Sequence, residues 1–258
     1  MSRITTTKRG RGPAPGGSVK PEGPQTDLEG SGPEGSVLRA LDILEALYGN
    51  DRTPPEEYST GEPLDGLILT LLSQNTNDRN RDMAYNALRK KYPTWDEVAA
   101  LDPAEIAALI RPAGLGETKS SRMSVILARI DADFGGFTLK AMHGWSPEDA
   151  RRYLSALPGV GPKTVACVMV FDLGMPAFPV DTHVARVSRR LGLVPERTAP
   201  EKIQEFLESV VPPERCGGGH LNMIEHGRAV CHARRPECGT CAAAGICAYV
   251  AAAGGGTL

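Results

Sequence analysis

Four cysteines near the C-terminus constrain this chain more than any other feature. Cys231, Cys238, Cys241 and Cys247 fall within 17 residues, spaced C-x6-C-x2-C-x5-C. The segment between them has little apolar content (Ala242, Ala243, Ala244, Gly245), so it lacks a core of its own and a bound metal or cluster would close it. In a chain of 258 residues with six cysteines a disulfide framework is the weaker expectation. Four thiolates suit zinc or an iron–sulfur cluster, and spacing alone does not choose between them. Of the other two cysteines, Cys167 lies in an apolar run and is expected in the core. Cys216 precedes Gly217-Gly218-Gly219 and is expected to be a free thiol.

The rest of the chain reads as helix. Ser36 is a candidate N-cap for a helix carrying Val37, Leu38, Leu41, Leu44 and Leu47, with Gly49 as its stop. Leu64–Leu72 forms a short apolar helix, and Asp78 is placed as the cap of one running to Lys91. Thr94 with Glu97, and Asp102 with Glu105, are capping boxes. Further helices are expected at about 118–134, 146–157, 162–173, 182–191, 200–210 and 220–231. Alternating strand patterns are nearly absent, so the fold class is all-α. Residues 1–35, with eight Gly and five Pro, and the tail 251–258 are expected to be disordered. Five basic residues and no acid fall in the first 20, which suits a solubilising arm or one that touches phosphates.

Lys+Arg 29 against Asp+Glu 31 excludes a uniformly basic nucleic-acid binder but leaves room for a local basic face. No apolar run approaches the roughly 20 residues a membrane span needs, and no N-terminal segment reads as a signal peptide. The expectation is a cytoplasmic protein, nucleoid-associated if bacterial, with no membrane partner.

The segment Leu157-Pro158-Gly159-Val160-Gly161-Pro162-Lys163-Thr164-Val165 breaks one helix and starts the next. Gly161 allows a sharp turn and Pro162 suits a first helical turn. The free amides of such a helix start attract anions, a DNA phosphate among them. Lys163 is a lone amine in the first turn of an apolar helix, where the dipole opposes its charge and favours the neutral, nucleophilic amine. Such an amine can form a Schiff base with a carbonyl-like carbon. Eighteen residues on, Asp181 in Val180-Asp181-Thr182-His183 is a plain N-cap by type, and beside Lys163 it could serve as base or partner to a developing cation.

Taken together, the LPGVGPKT hairpin, the VDTH segment and the cysteine spacing resemble the endonuclease III family of helix-hairpin-helix DNA glycosylases, from about residue 36 to 250. The resemblance implies a [4Fe–4S] cluster on Cys231, Cys238, Cys241 and Cys247. It implies that Lys163 attacks C1′ of a damaged nucleotide, displaces the base and cuts the strand by β-elimination, with Asp181 assisting base departure. It implies DNA contacts from Gly159, Gly161 and Thr164 in the hairpin, from a wedge in each of two loops, and from Arg234 and Arg235 between the first two cysteines. The wedges would be Leu115 in Ala113–Lys119 and a polar residue in Ser73-Gln74-Asn75-Thr76-Asn77-Asp78, where Gln74 and Asn75 are the candidates. That segment departs from the family's usual Ser-Ala-Gln-Ala-Thr-Asp, as do Pro162 from Arg and Ala166 from Asn. Two helical domains with a DNA cleft between them are implied: residues 56–175 with the hairpin, and 36–55 plus 176–250 with the cluster.

The resulting expectation is a monomeric bifunctional glycosylase and abasic-site lyase acting on oxidised pyrimidines in double-stranded DNA. The alternatives are the same scaffold acting on a mismatched or alkylated base or on abasic sites alone, and a non-catalytic DNA-binding module with a structural metal.

Overall fold

Twelve α-helices and several short 3-10 turns make up residues 32–50 and 59–253, which the computed structural model describes; no strand occurs among them. The expectations for residues 1–31 and 254–258 lie outside the described residues.

One set of helices runs from α2 to α8: α2 (Pro63–Ser73), α3 (Asp78–Lys91), α4 (Trp95–Ala99), α5 (Pro103–Ile110), α6 (Gly116–Phe134), α7 (Pro147–Ser155) and α8 (Pro162–Cys167). At its centre lies α2, in which Leu64, Leu67, Ile68, Leu71 and Leu72 are all fully buried. At about 1.5–3 kcal/mol per side chain, those five contribute on the order of 10 kcal/mol before entropy is counted. It packs against α3, α6 and α8. Both expected capping boxes form, at Thr94 and at Asp102.

The other set is α1 (Pro33–Tyr48), α9 (Thr182–Leu191), α10 (Pro200–Val210), α11 (Cys216–Ala229) and α12 (Ala248–Ala253). Val37, Ala40, Leu41 and Leu44 give α1 a buried stripe at helical spacing, which lies on α11. Gly49 ends α1 in the left-handed conformation, φ 73°.

Five expectations are corrected. Helix α1 begins at Pro33 rather than Ser36, because proline suits a first helical position, so residues 33–35 are ordered helix. Asn77, not Asp78, caps α3, accepting from the Asn80 amide at 2.9 Å. Residues 251–253 belong to α12. Helix α8 widens into a π turn over Val168–Asp172 instead of continuing regularly to Leu173. Helix α11 starts at Cys216, not His220, and takes in all three glycines. Packing is tight at the last of them: a Cβ on Gly219 would stand 3.0 Å from Leu41 Cδ2 and 3.3 Å from Phe178.

Candidate active site

The turn between α7 and α8 carries the hairpin. Gly159 supplies its bend with φ 73°, and a Cβ there would meet Arg122 Cδ at 2.5 Å. Gly161 has ordinary extended angles and its missing Cβ would face open space, so the sharp turn expected at Gly161 is made at Gly159 instead.

Lys163 stands half-buried in the first turn of α8, one turn before Cys167, whose buried thiol feels its charge. Burial pushes that thiol up, while the lysine charge opposes the effect. Cys167 and Cys216 are both buried free thiols, as expected. Asp181 caps α9: its Oδ1 accepts from the amides of His183 and Val184, both at 2.8 Å. Its Oδ2 makes no hydrogen bond to another described residue. The ring of His220 feels the charges of both Lys163 and Asp181. Burial, reinforced by Lys163, holds that imidazole well below the usual histidine range, so the ring is neutral. Its Nδ1 lies 2.8 Å from the Pro179 carbonyl, which makes Nδ1 the protonated nitrogen. Phe171 and Phe178 enclose it, with ring centroids at 5.9 and 6.4 Å. Sequence reasoning assigned His220 no role, because no local pattern around it carries a signal.

Gln74 and Asn75 point to different places. The Gln74 side-chain amide donates to Gly159 O at 3.0 Å and to the buried Thr164 hydroxyl at 3.4 Å, and its Oε1 accepts from Arg122. It therefore braces the hairpin. Asn75 is exposed, and so is Leu115, at 57%. Asn75, Leu115 and Arg235 are the only non-glycine residues with positive φ among the described residues, at 55°, 50° and 53°. Each such conformation costs about 1–2 kcal/mol. All three were singled out from sequence as DNA-contacting candidates, and backbone strain of this kind collects at functional sites. Arg234 is exposed beside Arg235.

Cys231, Cys238, Cys241 and Cys247 line one small cavity of about 20 Å³ together with Val187, Leu191 and Val230. Among the described residues no three His, Cys, Asp or Glu side chains converge on a single-ion site. The four cysteine sulfurs supply a donor set of the kind that zinc or an iron–sulfur cluster takes. Arg190 donates to Cys231 Sγ at 3.3 Å and to His232 O at 2.6 Å, and stacks on Tyr249. His226 Nε2 lies 3.7 Å from Cys241 Sγ. Arg186 donates to Cys231 O and Gly227 O, and Arg189 to Thr198 O. The three arginines after Asp181 brace backbone rather than form a free solvated face.

An all-α body with a lysine at the start of the helix after the hairpin turn, an aspartate capping a later helix and four cysteines lining one pocket fits the class of helix-hairpin-helix DNA glycosylases. Residues 68–213 match the family described as HhH-GPD superfamily base excision DNA repair proteins. Endonuclease III of Thermotoga maritima is 35% identical over 204 residues, 79% of this chain and 91% of that protein. A DNA glycosylase described in Arabidopsis thaliana is 37% identical over 165 residues; the match takes in 64% of this chain and 56% of that longer protein. A trapped endonuclease III–DNA covalent intermediate superposes with a TM-score of 0.73 at 27% identity, over 85% of this chain and 97% of that one. The chain belongs to the endonuclease III family within the HhH-GPD superfamily, and it is a DNA glycosylase. The reading as a non-catalytic binding module falls away with that membership.

No helix among the described residues is long and apolar enough to cross a membrane.

Proposed function

We propose that the chain is a monomeric, bifunctional glycosylase and abasic-site lyase acting on oxidised pyrimidines in double-stranded DNA. The observation that carries this is Lys163 in the first turn of α8 and Asp181 as the cap of α9, with the charges of both felt by the buried His220. Lys163 Nζ attacks C1′, and the bond from C1′ to the base breaks with the base taking the electron pair and the proton that Nζ gives up. Asp181, its Oδ1 held by two amides, turns Oδ2 to the positive charge that builds on the sugar. The sugar ring opens to an imine on Lys163 Nζ. Loss of a C2′ proton then expels the 3′ phosphate and cuts the strand. The likeness to a trapped covalent endonuclease III–DNA intermediate supports this route.

DNA is read as lying between the two helical sets, which we take as the two domains. The hairpin, through Gly159, Gly161 and the Thr164 turn, meets the backbone of the strand being repaired. Asn75 and Leu115 fill the space left by the extruded nucleotide, with Gln74 holding the hairpin behind them. Arg234 and Arg235 contact phosphates. Cys231, Cys238, Cys241 and Cys247 would hold a [4Fe–4S] cluster. When bound, that group ties four points of a segment with little core and supplies a redox centre.

A second reading keeps the scaffold and changes the lesion. It is favoured by the 73–78 loop, where Gln74 is turned into the hairpin and Asn75 takes the exposed position.

Borohydride trapping on a duplex with one abasic site tests the lyase step, and a panel of oxidised, alkylated and mismatched bases tests the substrate. A covalent adduct with the wild type and none with Lys163→Ala is expected, with excision fastest on oxidised pyrimidines. No adduct from folded wild type would refute the lyase. Faster excision of an alkylated or mismatched base would favour the second reading.

A further inference from the structure

A buried lysine joins the two loops that carry strained residues. Lys119, in the first turn of α6, is 1% exposed and is the largest fully buried side chain among the described residues. Its Nζ donates to Leu72 O and to Ala113 O, both at 2.8 Å. Leu72 lies in the last turn of α2, and Ala113 closes the 3-10 turn Arg111–Ala113. The ammonium thus sits where the carbonyl ends of two helical segments converge, an arrangement that suits a cation. No carboxylate pairs with it among the described residues. Three residues beyond Leu72 is Asn75, and two beyond Ala113 is Leu115, both with left-handed backbones. The Lys119 amide also donates to Leu115 O at 2.9 Å.

Packing does not account for this residue. A methionine or leucine would fill the same interior without removing a charge from water. Burial also disfavours the charged form, pushing Lys119 down from the usual lysine range. What the ammonium adds, and an apolar chain cannot, is a bond to each loop.

We propose that Lys119 is a positioning residue that locks the 73–77 and 113–116 loops into one unit, so that Asn75 and Leu115 enter the duplex together as the nucleotide is turned out. The proposal rests on reading those two residues as the wedges. A lysine acting this way is needed where a stacked nucleotide must be extruded, and is dispensable where the sugar is already accessible.

The test compares imine trapping under single-turnover conditions on an abasic site in single-stranded DNA and on the same site in a duplex. Lys119→Met is expected to slow the duplex reaction by about tenfold or more and the single-stranded reaction by no more than about twofold. Fluorescence of 2-aminopurine placed opposite the abasic site reports insertion directly and should lose its change. In a chain already carrying Asn75→Ala and Leu115→Ala, Lys119→Met should add little, because effects on one shared step do not sum. Lys119→Gln keeps a donor for one carbonyl; it is read the same way should the methionine variant not fold, and is expected to fall between the two. Equal loss on both substrates, an unchanged duplex rate, or full additivity with the double variant would overturn the proposal. A wild type that forms an imine on the duplex but not on single-stranded DNA would overturn this proposal alone, and one that forms an imine on neither would overturn the lyase reading as well.

Discussion

Asp172 closes the π turn that continues the Lys163 helix, and its carboxyl is 8% exposed. It lies against Gly66 of α2 so closely that no side chain could stand at position 66. Burial pushes the carboxyl from its ordinary 3.8 up to about 7, with the charges of Asp65 and Glu62 adding to the rise; hydrogen bonds from the Thr60 amide and hydroxyl, at 3.2 and 3.1 Å, oppose it. That displacement amounts to about 4 kcal/mol against the ionised form. Because the folded value is raised, the native state holds its proton longer than the unfolded chain does. The penalty is therefore absent below about 4, grows as the pH rises, and is complete above about 7. Asp172→Asn keeps the acceptor oxygen for Thr60 and removes the charge. Its stability advantage over the wild type should widen by about 2–3 kcal/mol between about pH 5 and pH 8.5, or roughly 4–12 °C in melting temperature for a chain of this size. Thermal melts of both proteins at a series of pH values measure this. An advantage that does not change with pH, or a variant less stable than wild type at pH 8.5, would refute the burial argument.

Three further outcomes follow from the geometry. Leu115→Gly should raise stability by up to about 1 kcal/mol, since glycine takes φ 50° without strain. Yet it should slow excision from duplex DNA; a variant that loses stability would show that the left-handed turn carries no strain. Gly219→Ala should destabilise by about 1–3 kcal/mol in urea unfolding, because the new methyl would lie 3.0 Å from Leu41 on α1. Cys241→Ser should abolish the visible absorbance of a bound cluster and make residues 231–247 more open to proteolysis; retained absorbance would remove Cys241 from the ligand set.

Most of the helices were legible because their signals are local. Capping boxes at Thr94 and Asp102, glycine stops at Gly49 and Gly135, and prolines at first helical positions act through bonds within a few residues. Where the reading slipped, a longer-range contact had decided the outcome. Gly217, Gly218 and Gly219 are helical although the expected helix began only at His220, and at Gly219 a Cβ would crowd Leu41 on α1 and Phe178. Gln74 and Asn75 are adjacent polar residues of similar chemistry, and only the hairpin folded beside them turns one inward and leaves the other exposed. Lys119 looks like an ordinary helical lysine until the carbonyl ends of two distant segments are placed over it.

The sequence by itself determined the all-α class and the helix break at the hairpin, since residue type and spacing encode these directly, and it put forward Lys163, Asp181 and the four cysteines as candidates. Tertiary structure alone decided which side chains meet: Gln74 on the hairpin, and a lysine bridging two loops 41 residues apart at Leu72 and Ala113. The division has a physical cause. Hydrogen bonds that close within one helical turn depend on neighbours in the chain, whereas burial, and with it the cost of a charge or the room for a Cβ, depends on what the rest of the molecule packs against that point.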